Sequence, residues 1–539
     1  MDFDALWYIC RAMHLLRAAI ILLWLAVCGW ADSYVRQPLV DVIHYDISLE
    51  LTDASDSISG TTRVHVRIRE DGASGMWLDF SDMEVHRLLV EGAERRFTYG
   101  DGRLSFEFGK TCSRGEIVVL EVHYHGKPRR GLLIGNNSHG RRVFFSHSWP
   151  DRAHHWFPSI DHPSDKATAD ISVTAPEKYD TVSNGRLVET VSLQDGRRLT
   201  RWSESVAIPV YCIAIGVAEF SIAHQPETEG MPVAWYSYPQ DAGAAAAKFG
   251  RTASAISYFR NLIGPYPYEK LAQVESNIEI AAMENASAIF YNELLFHGTP
   301  VSEYPVPHEI AHQWFGNSIT EADWDHLWLS EGFASYFEAL FYEYLGGPEA
   351  LKQAMARYKE NLLRYELARA APIVDPGLTD LIKKLSPLNY DKGAWVLHML
   401  RGLIGDEKFF EGIRRYYRTF KNGTVLSDDF REIMESVSGT SLSAFFKQWL
   451  YQAGWPDYSL VWRWDEAARE AEITVRQTQS TGLFDMPVEV ALLYGTRREI
   501  LRFRISSPTH TFRLPLAAKP SSVEIDPDGW ILKSQSGNN

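Results

Sequence analysis

Cysteine is scarce in this chain, with four in 539 residues. Cys10 and Cys28 fall near the start; Cys112 and Cys212 remain, and their spacing is not that of a thiolate metal site, so both read as ordinary half-buried thiols. Basic charge is also in short supply, since 54 Lys and Arg against 69 Asp and Glu give a net charge of −15. Without a cationic excess to neutralise phosphates, nucleic acid and anionic membrane surfaces are poor partners. Low-complexity tracts and internal repeats are lacking, and the one long apolar run is 18–28. It follows Arg17, precedes Gly29-Trp30-Ala31, and is shorter than the roughly 20 residues of a membrane span. Residues 1–31 therefore read as a secretory signal peptide, with Met13 as the suspected true start. Export to a periplasmic or extracellular space is the expected consequence; left uncleaved, the same segment would act as an N-terminal anchor.

What is present is ordinary globular material, 45% hydrophobic and 23% charged, long enough for three or four domains. Residues 34–225 carry short alternating runs (44–51, 62–68, 116–124, 169–174) broken by Gly, Asp and Asn, which predicts an N-terminal antiparallel β domain. Within it, Trp149 to Pro158 is rich in His and aromatics; it reads as packed loop, with a second metal site as the alternative. From 226 to 454 the texture is mostly helical, with helices expected at 244–263, 329–345, 351–371, 392–404, 407–420 and 441–451 and a strand at 274–280. Gly454-Trp455-Pro456 breaks this pattern, and 455–535 returns to strands, as expected of a small C-terminal β-sandwich. The class is multidomain α+β.

Chemistry concentrates at His308-Glu309-Ile310-Ala311-His312. On a helix, residues four apart share one face, so His308 and His312 can present two imidazole nitrogens to one point. Glu331, in Trp328-Leu329-Ser330-Glu331-Gly332, supplies a carboxylate oxygen. Two His and one Glu leave a fourth zinc position open, the arrangement of a catalytic site holding one Zn2+. Glu309 points about 100° away round the helix and suits a general base acting on water. Glu338, seven residues past Glu331, either orients a ligating His or is a solvated surface acid.

These residues resemble the gluzincin zinc aminopeptidases, the family of aminopeptidase N and leukotriene hydrolase. Besides His308-Glu309-x-x-His312 with Glu331, Ala281-Ala282-Met283-Glu284-Asn285 is similar to that family's exopeptidase signature, and Tyr390-Asp391-Lys392-Gly393 to its Y-x-K-G segment. The resemblance implies a thermolysin-like catalytic domain in which Ala281 to Asn285 form the substrate-binding segment. Within it, main-chain atoms of Ala281 to Met283 would bind the substrate backbone and Glu284 its free α-ammonium. Tyr390 would donate to the oxyanion. Two departures stand out: Ala281 replaces a glycine, and Trp149 falls where many relatives carry an amine-binding Gln or Glu.

The resulting expectation is a zinc-dependent aminopeptidase acting on peptides with a free N-terminus. The alternatives are a thermolysin-like endopeptidase, which needs no acid such as Glu284, and a catalytically silent binding protein on the same fold. The preferred N-terminal residue and the oligomeric state are not encoded legibly.

Overall fold

The computed structural model describes residues 32–535 apart from 226–227, 229 and 299–302; the segment read as a signal peptide lies outside the described residues. The N-terminal region is built on an eight-stranded sheet in which β1 (Val40–Glu50) pairs antiparallel with Ile58–Ile68 and parallel with β2 (Lys166–Pro176). Its inward residues are Val40, Val42, Tyr45, Ile47 and Leu49. The step of three between Val42 and Tyr45 is absorbed by a bulge at Val42/His44, which keeps these five side chains on the core face. A four-stranded sheet, including the hairpin Gly131–Asn136 and Arg142–His147, completes the support beneath the site.

A five-stranded mixed sheet links this region to the helices. Its strands run in the order Ser221–His224, Val233–Ser237, β3 (Leu271–Ser276), β5 (Ala288–Asn292) and β4 (Ala282–Met283). Side chains alternate across it: Ala272, Val274, Ala288 and Phe290 enter the N-terminal core, whereas Leu271, Ile289 and Tyr291 enter the helical one. β4 pairs with β5 on one side only, so its other edge is free.

The metal-motif helix α1 is short, Val306–His312, with Pro305 as its N-cap and Pro307 in its first turn, where a missing N–H is harmless. It packs on α2 (Trp328–Gly346), followed by α3 (Pro348–Arg364) and α4 (Gly393–Ile404). Helix Asp406–Phe420 buries Phe409, Ile413, Tyr416 and Tyr417, a spacing that keeps one stripe inward. Sheets of four and three strands form the C-terminal β unit from Asp457 onward.

Several details differ from expectation. The helix expected at 351–371 runs Pro348–Arg364, and the strand expected at 274–280 is Leu271–Ser276. The helix at 244–263 is two, Ala242–Phe249 and Thr252–Leu262, interrupted at Gly250-Arg251, where Arg251 has ψ 7°. Helix Ser427–Ser438 was not anticipated, because only Phe430 and Met434 give it a buried apolar stripe. Cys112 and Cys212 are fully buried rather than half-buried, and both are free.

Glycine permits one decisive approach. A Cβ on Gly332 of α2 would lie 2.8 Å from Gly393 Cα and 3.0 Å from the Asn389 carbonyl oxygen. The backbones touch there, drawing Glu331 and Tyr390 into one site. Gly332→Ala is expected to destabilise the fold by about 1–3 kcal/mol through overpacking. Urea unfolding checks this, and an unchanged midpoint would contradict it.

Candidate active site

His308 and His312 extend from one face of α1 with their Nε2 atoms 3.0 Å apart. Glu331 Oε2, from the first turn of α2, lies 3.4 Å from His308 Nε2 and 3.3 Å from His312 Nε2. All three residues are buried, and Glu331 Oε2 makes no directed hydrogen bond. A buried carboxylate oxygen left without a donor, facing two imidazoles, fits a dication. His312 Nδ1 donates to the Phe315 carbonyl at 3.0 Å, which fixes the tautomer and frees Nε2 for a metal. Gly316, at φ +107°, makes this turn possible, since a Cβ there would meet Ser330 Oγ and His312 Nδ1.

Glu338 is no surface acid. It is buried, its Oε2 is 3.9 Å from His308 Nδ1, and the hydroxyls of Tyr342 and Tyr358 each donate to it at 3.2 Å. It is placed to orient His308 from behind.

Charge explains why the site needs cations. Glu284, Glu309, Glu331 and Glu338 occupy one buried volume with two imidazoles. Burial opposes the Glu331 carboxylate, yet attraction from His312 and contacts from His308 hold it down to about 2. Burial pushes Glu284 up to about 7, with Glu331 adding repulsion and His312 opposing. Glu309 is driven well above the usual range, first by burial and further by Glu284, Glu331 and Glu338, against the pull of His312. A dication and a substrate ammonium would offset this excess.

Residues Ala281, Ala282, Met283 and Glu284 line a cavity of about 660 Å³ together with His308, Glu309, His312, Glu331 and Tyr390. β4 lines the cavity, and the Glu284 carbonyl is pinned by Gln313 Nε2 at 3.0 Å and Asn317 Nδ2 at 2.6 Å. Asn285 is buried and does not reach the cavity; its carbonyl accepts from Ala288 N in the turn behind. Tyr390 sits in a single π-helical turn, Leu388–Lys392, with its ring parallel to His308 at 5.9 Å. Burial and then Glu331 and Glu284 keep its phenol protonated, as a donor must be. Trp149 lines the cavity and packs edge-on against Trp324.

Sequence reasoning missed Gln313 and Asn317, which hold Glu284 from the turn after α1, and Arg357, which brings a guanidinium to the cavity wall. Their signal was only proximity to the His motif and, for the exposed Arg357, a place next to buried Tyr358 on α3. His154 and His155 do not converge on a metal; they pair separately with Asp161 and Asp82, each at 2.7 Å.

A short helix offering two imidazoles and a carboxylate, completed by a glutamate from the next helix below a free strand edge, is the arrangement of a gluzincin-type metal site. The chain belongs to the M1 peptidase family: the Peptidase M1 N-terminal domain matches residues 42–212 and the Peptidase family M1 domain residues 248–449. It is 27% identical over 460 residues to glutamyl aminopeptidase of Bitis rhinoceros, covering 79% of this chain and 48% of that protein. It is also 28% identical to aminopeptidase A of Gloydius brevicauda, covering 77% and 47% respectively. The chain thus spans about half the length of the curated relatives it matches. Among solved structures, the M1 zinc metallopeptidase of Deinococcus radiodurans superposes with a TM-score of 0.69 at 24% identity, over 78% of this chain and 95% of that one. Legionella pneumophila aminopeptidase A, solved with aspartic acid, gives 0.82 at 17% identity over 94% and 61%. These two likenesses carry the fold.

Glu338→Gln is expected to weaken zinc affinity by about 10–100-fold through loss of the His308 support. Competition with a calibrated chelator measures it, and unchanged affinity would remove Glu338 from this role.

Proposed function

We propose that this chain is a zinc-dependent aminopeptidase that removes the N-terminal residue from peptides. The observation that carries the reading is Glu284, a buried carboxylate at the end of a free-edged strand, set in the same cavity as the His-Glu-x-x-His helix. An endopeptidase has no use for an acid there, whereas a free α-ammonium pairs with it. Bound zinc, held by His308, His312 and Glu331, supplies a Lewis acid that polarises the scissile carbonyl and acidifies water.

The protein's own groups do the rest. The substrate's first residues add to the edge of β4 as a further strand, and Glu284 fixes the register by holding the amine. Glu309 takes a proton from the attacking water and passes it to the leaving amine. Tyr390 donates its hydroxyl to the oxyanion of the tetrahedral intermediate. Trp149, which lines the same cavity, offers no charge, so the amine's anionic partner is Glu284.

Glu309→Gln should retain zinc yet lose activity by orders of magnitude, and near-normal turnover would refute the base assignment. Tyr390→Phe is expected to lower kcat by about 10²–10³-fold, as loss of an oxyanion donor does. Because burial raises Glu284 toward about 7, its carboxylate exists above that pH and is lost as pH falls. Zinc and the bound ammonium both favour the ionised form, so kcat/KM for free peptides should decline at or below about pH 7. Glu284→Gln should remove the Glu284 contribution to that limb, leaving that of Glu309, and abolish the preference for free over N-acetylated peptides; equal cleavage of both by the wild type would favour an endopeptidase. A panel of aminoacyl amides, with N-terminal glutamate included because of the relatives' names, reads the specificity. We also propose that residues 1–31 direct export; N-terminal sequencing of the exported chain tests it, and a mature form retaining residues before Ala18 would overturn it.

A further inference from the structure

Among the described residues, two groups offer three ligand atoms lying within 4.8 Å of one another. One is the site above. The other is His139, Asp241 and His297, and we propose that it is a second divalent-metal site, of the zinc class, joining the N-terminal β region to the catalytic region.

Its three members come from separate parts of the chain. His139 sits at the tip of the hairpin between Gly131–Asn136 and Arg142–His147, in the N-terminal region. Asp241 ends the turn Pro239–Asp241, and His297 caps the short helix Glu293–Phe296; both belong to the catalytic region. His139 Nε2 is 2.5 Å from Asp241 Oδ2, and the rings of His139 and His297 lie edge to face with centroids 6.4 Å apart. The hairpin tip is held in place, since Asn137 Oδ1 accepts from His139 N and Arg141 N, and Ser138 N donates to Glu293 Oε2 at 2.9 Å.

Asp241 is the informative member. It stands at the N-cap of helix Ala242–Phe249, where an aspartate ordinarily turns back onto the helix N–H groups, yet it makes no capping bond and faces His139 instead. Behind it, Glu275 is completely buried, with Oε2 accepting from Tyr238 N and Oε1 left without a partner. Among the described residues, no lysine or arginine forms an ion pair with Asp241, Glu275 or Glu293. Burial pushes Glu275 up to about 9, so the carboxylate exposed to the two imidazoles is that of Asp241, which among the described residues has no lysine or arginine partner, a setting in which a metal ion is favoured.

Two imidazoles and one carboxylate form a borderline donor set that suits Zn2+ over Mg2+ or Ca2+. Bonds of about 2.0–2.2 Å allow ligand atoms at most roughly 4 Å apart. The exposed His297 ring closes the remaining gap by rotating, while His139 and Asp241 separate from their present hydrogen bond as the ion enters. The partly open position leaves room for water. His297 follows directly on the helix that begins after β5, the strand that pairs with β4, so the ion would brace the segment behind the substrate edge from the N-terminal side.

Zinc content of the full chain after equilibrium dialysis tests this. The expected result is two zinc ions per chain, falling to one in His139→Gln and in His297→Gln, while His308→Gln also retains one. The second measurement is the thermal midpoint of His308→Gln on zinc addition: it should rise, and the rise should vanish when His297→Gln is added. A wild-type content of one zinc that is lost in His308→Gln and unchanged in His297→Gln would overturn the proposal. So would a zinc-induced rise that survives His297→Gln. Neither readout depends on peptidase activity, so its failure is distinct from failure of the aminopeptidase reading.

Discussion

Too many carboxylates in one buried volume is the condition from which the rest of the site follows. Glu284, Glu309, Glu331 and Glu338 share space with two imidazoles and, at the cavity wall, the Arg357 guanidinium, and burying charge is costly there. The arrangement is tolerable because each acid has a different outlet. Glu331 faces both histidines, Glu338 is held by two tyrosine hydroxyls, and Glu284 and Glu309 face the cavity. A site built this way is selective for cations by electrostatics before any contact is made.

Holding four like charges together needs backbone precision, and glycine supplies it at two points. Gly332 against Gly393 lets α2 and the turn carrying Tyr390 meet without side chains between them. Gly316 lets the chain reverse directly after α1, so that Phe315 can accept from His312 and Gln313 and Asn317 can reach back to Glu284. The short α1 is thus followed by a turn as functional as the helix itself.

The cluster of His308, His312 and Glu331 was legible in the sequence because helical spacing alone brings the two histidines together, and Glu331 stands in a recognisable local pattern. Glu284 and Tyr390 became legible only through resemblance, since a short strand and a lone tyrosine carry no periodicity of their own. Gln313 and Asn317 were not legible, because amide side chains that bind a distant carbonyl look like any polar turn residue. The pairing of His139 with His297 was equally hidden, separated by 158 positions and joined only by the seam between two regions. Helix Ser427–Ser438 escaped for a different reason: Asp428 and Asp429 at its start and Gly439 at its end are good terminal signals, but Phe430 and Met434 alone make a thin stripe. Buried Cys112 and Cys212 show the opposite error, an apolar thiol read as more exposed than it is.

The five-stranded sheet carries a consequence for how this molecule can be divided. Ala272, Val274, Ala288 and Phe290 belong to the N-terminal core although their strands also form the wall of the active site, and Phe145 meets Phe290 edge to face across that junction. A catalytic fragment expressed without residues before 226 would therefore display a bare apolar sheet face, the template on which strands from other molecules aggregate. The N-terminal region covers that apolar face, and the two parts are expected to melt as one cooperative unit.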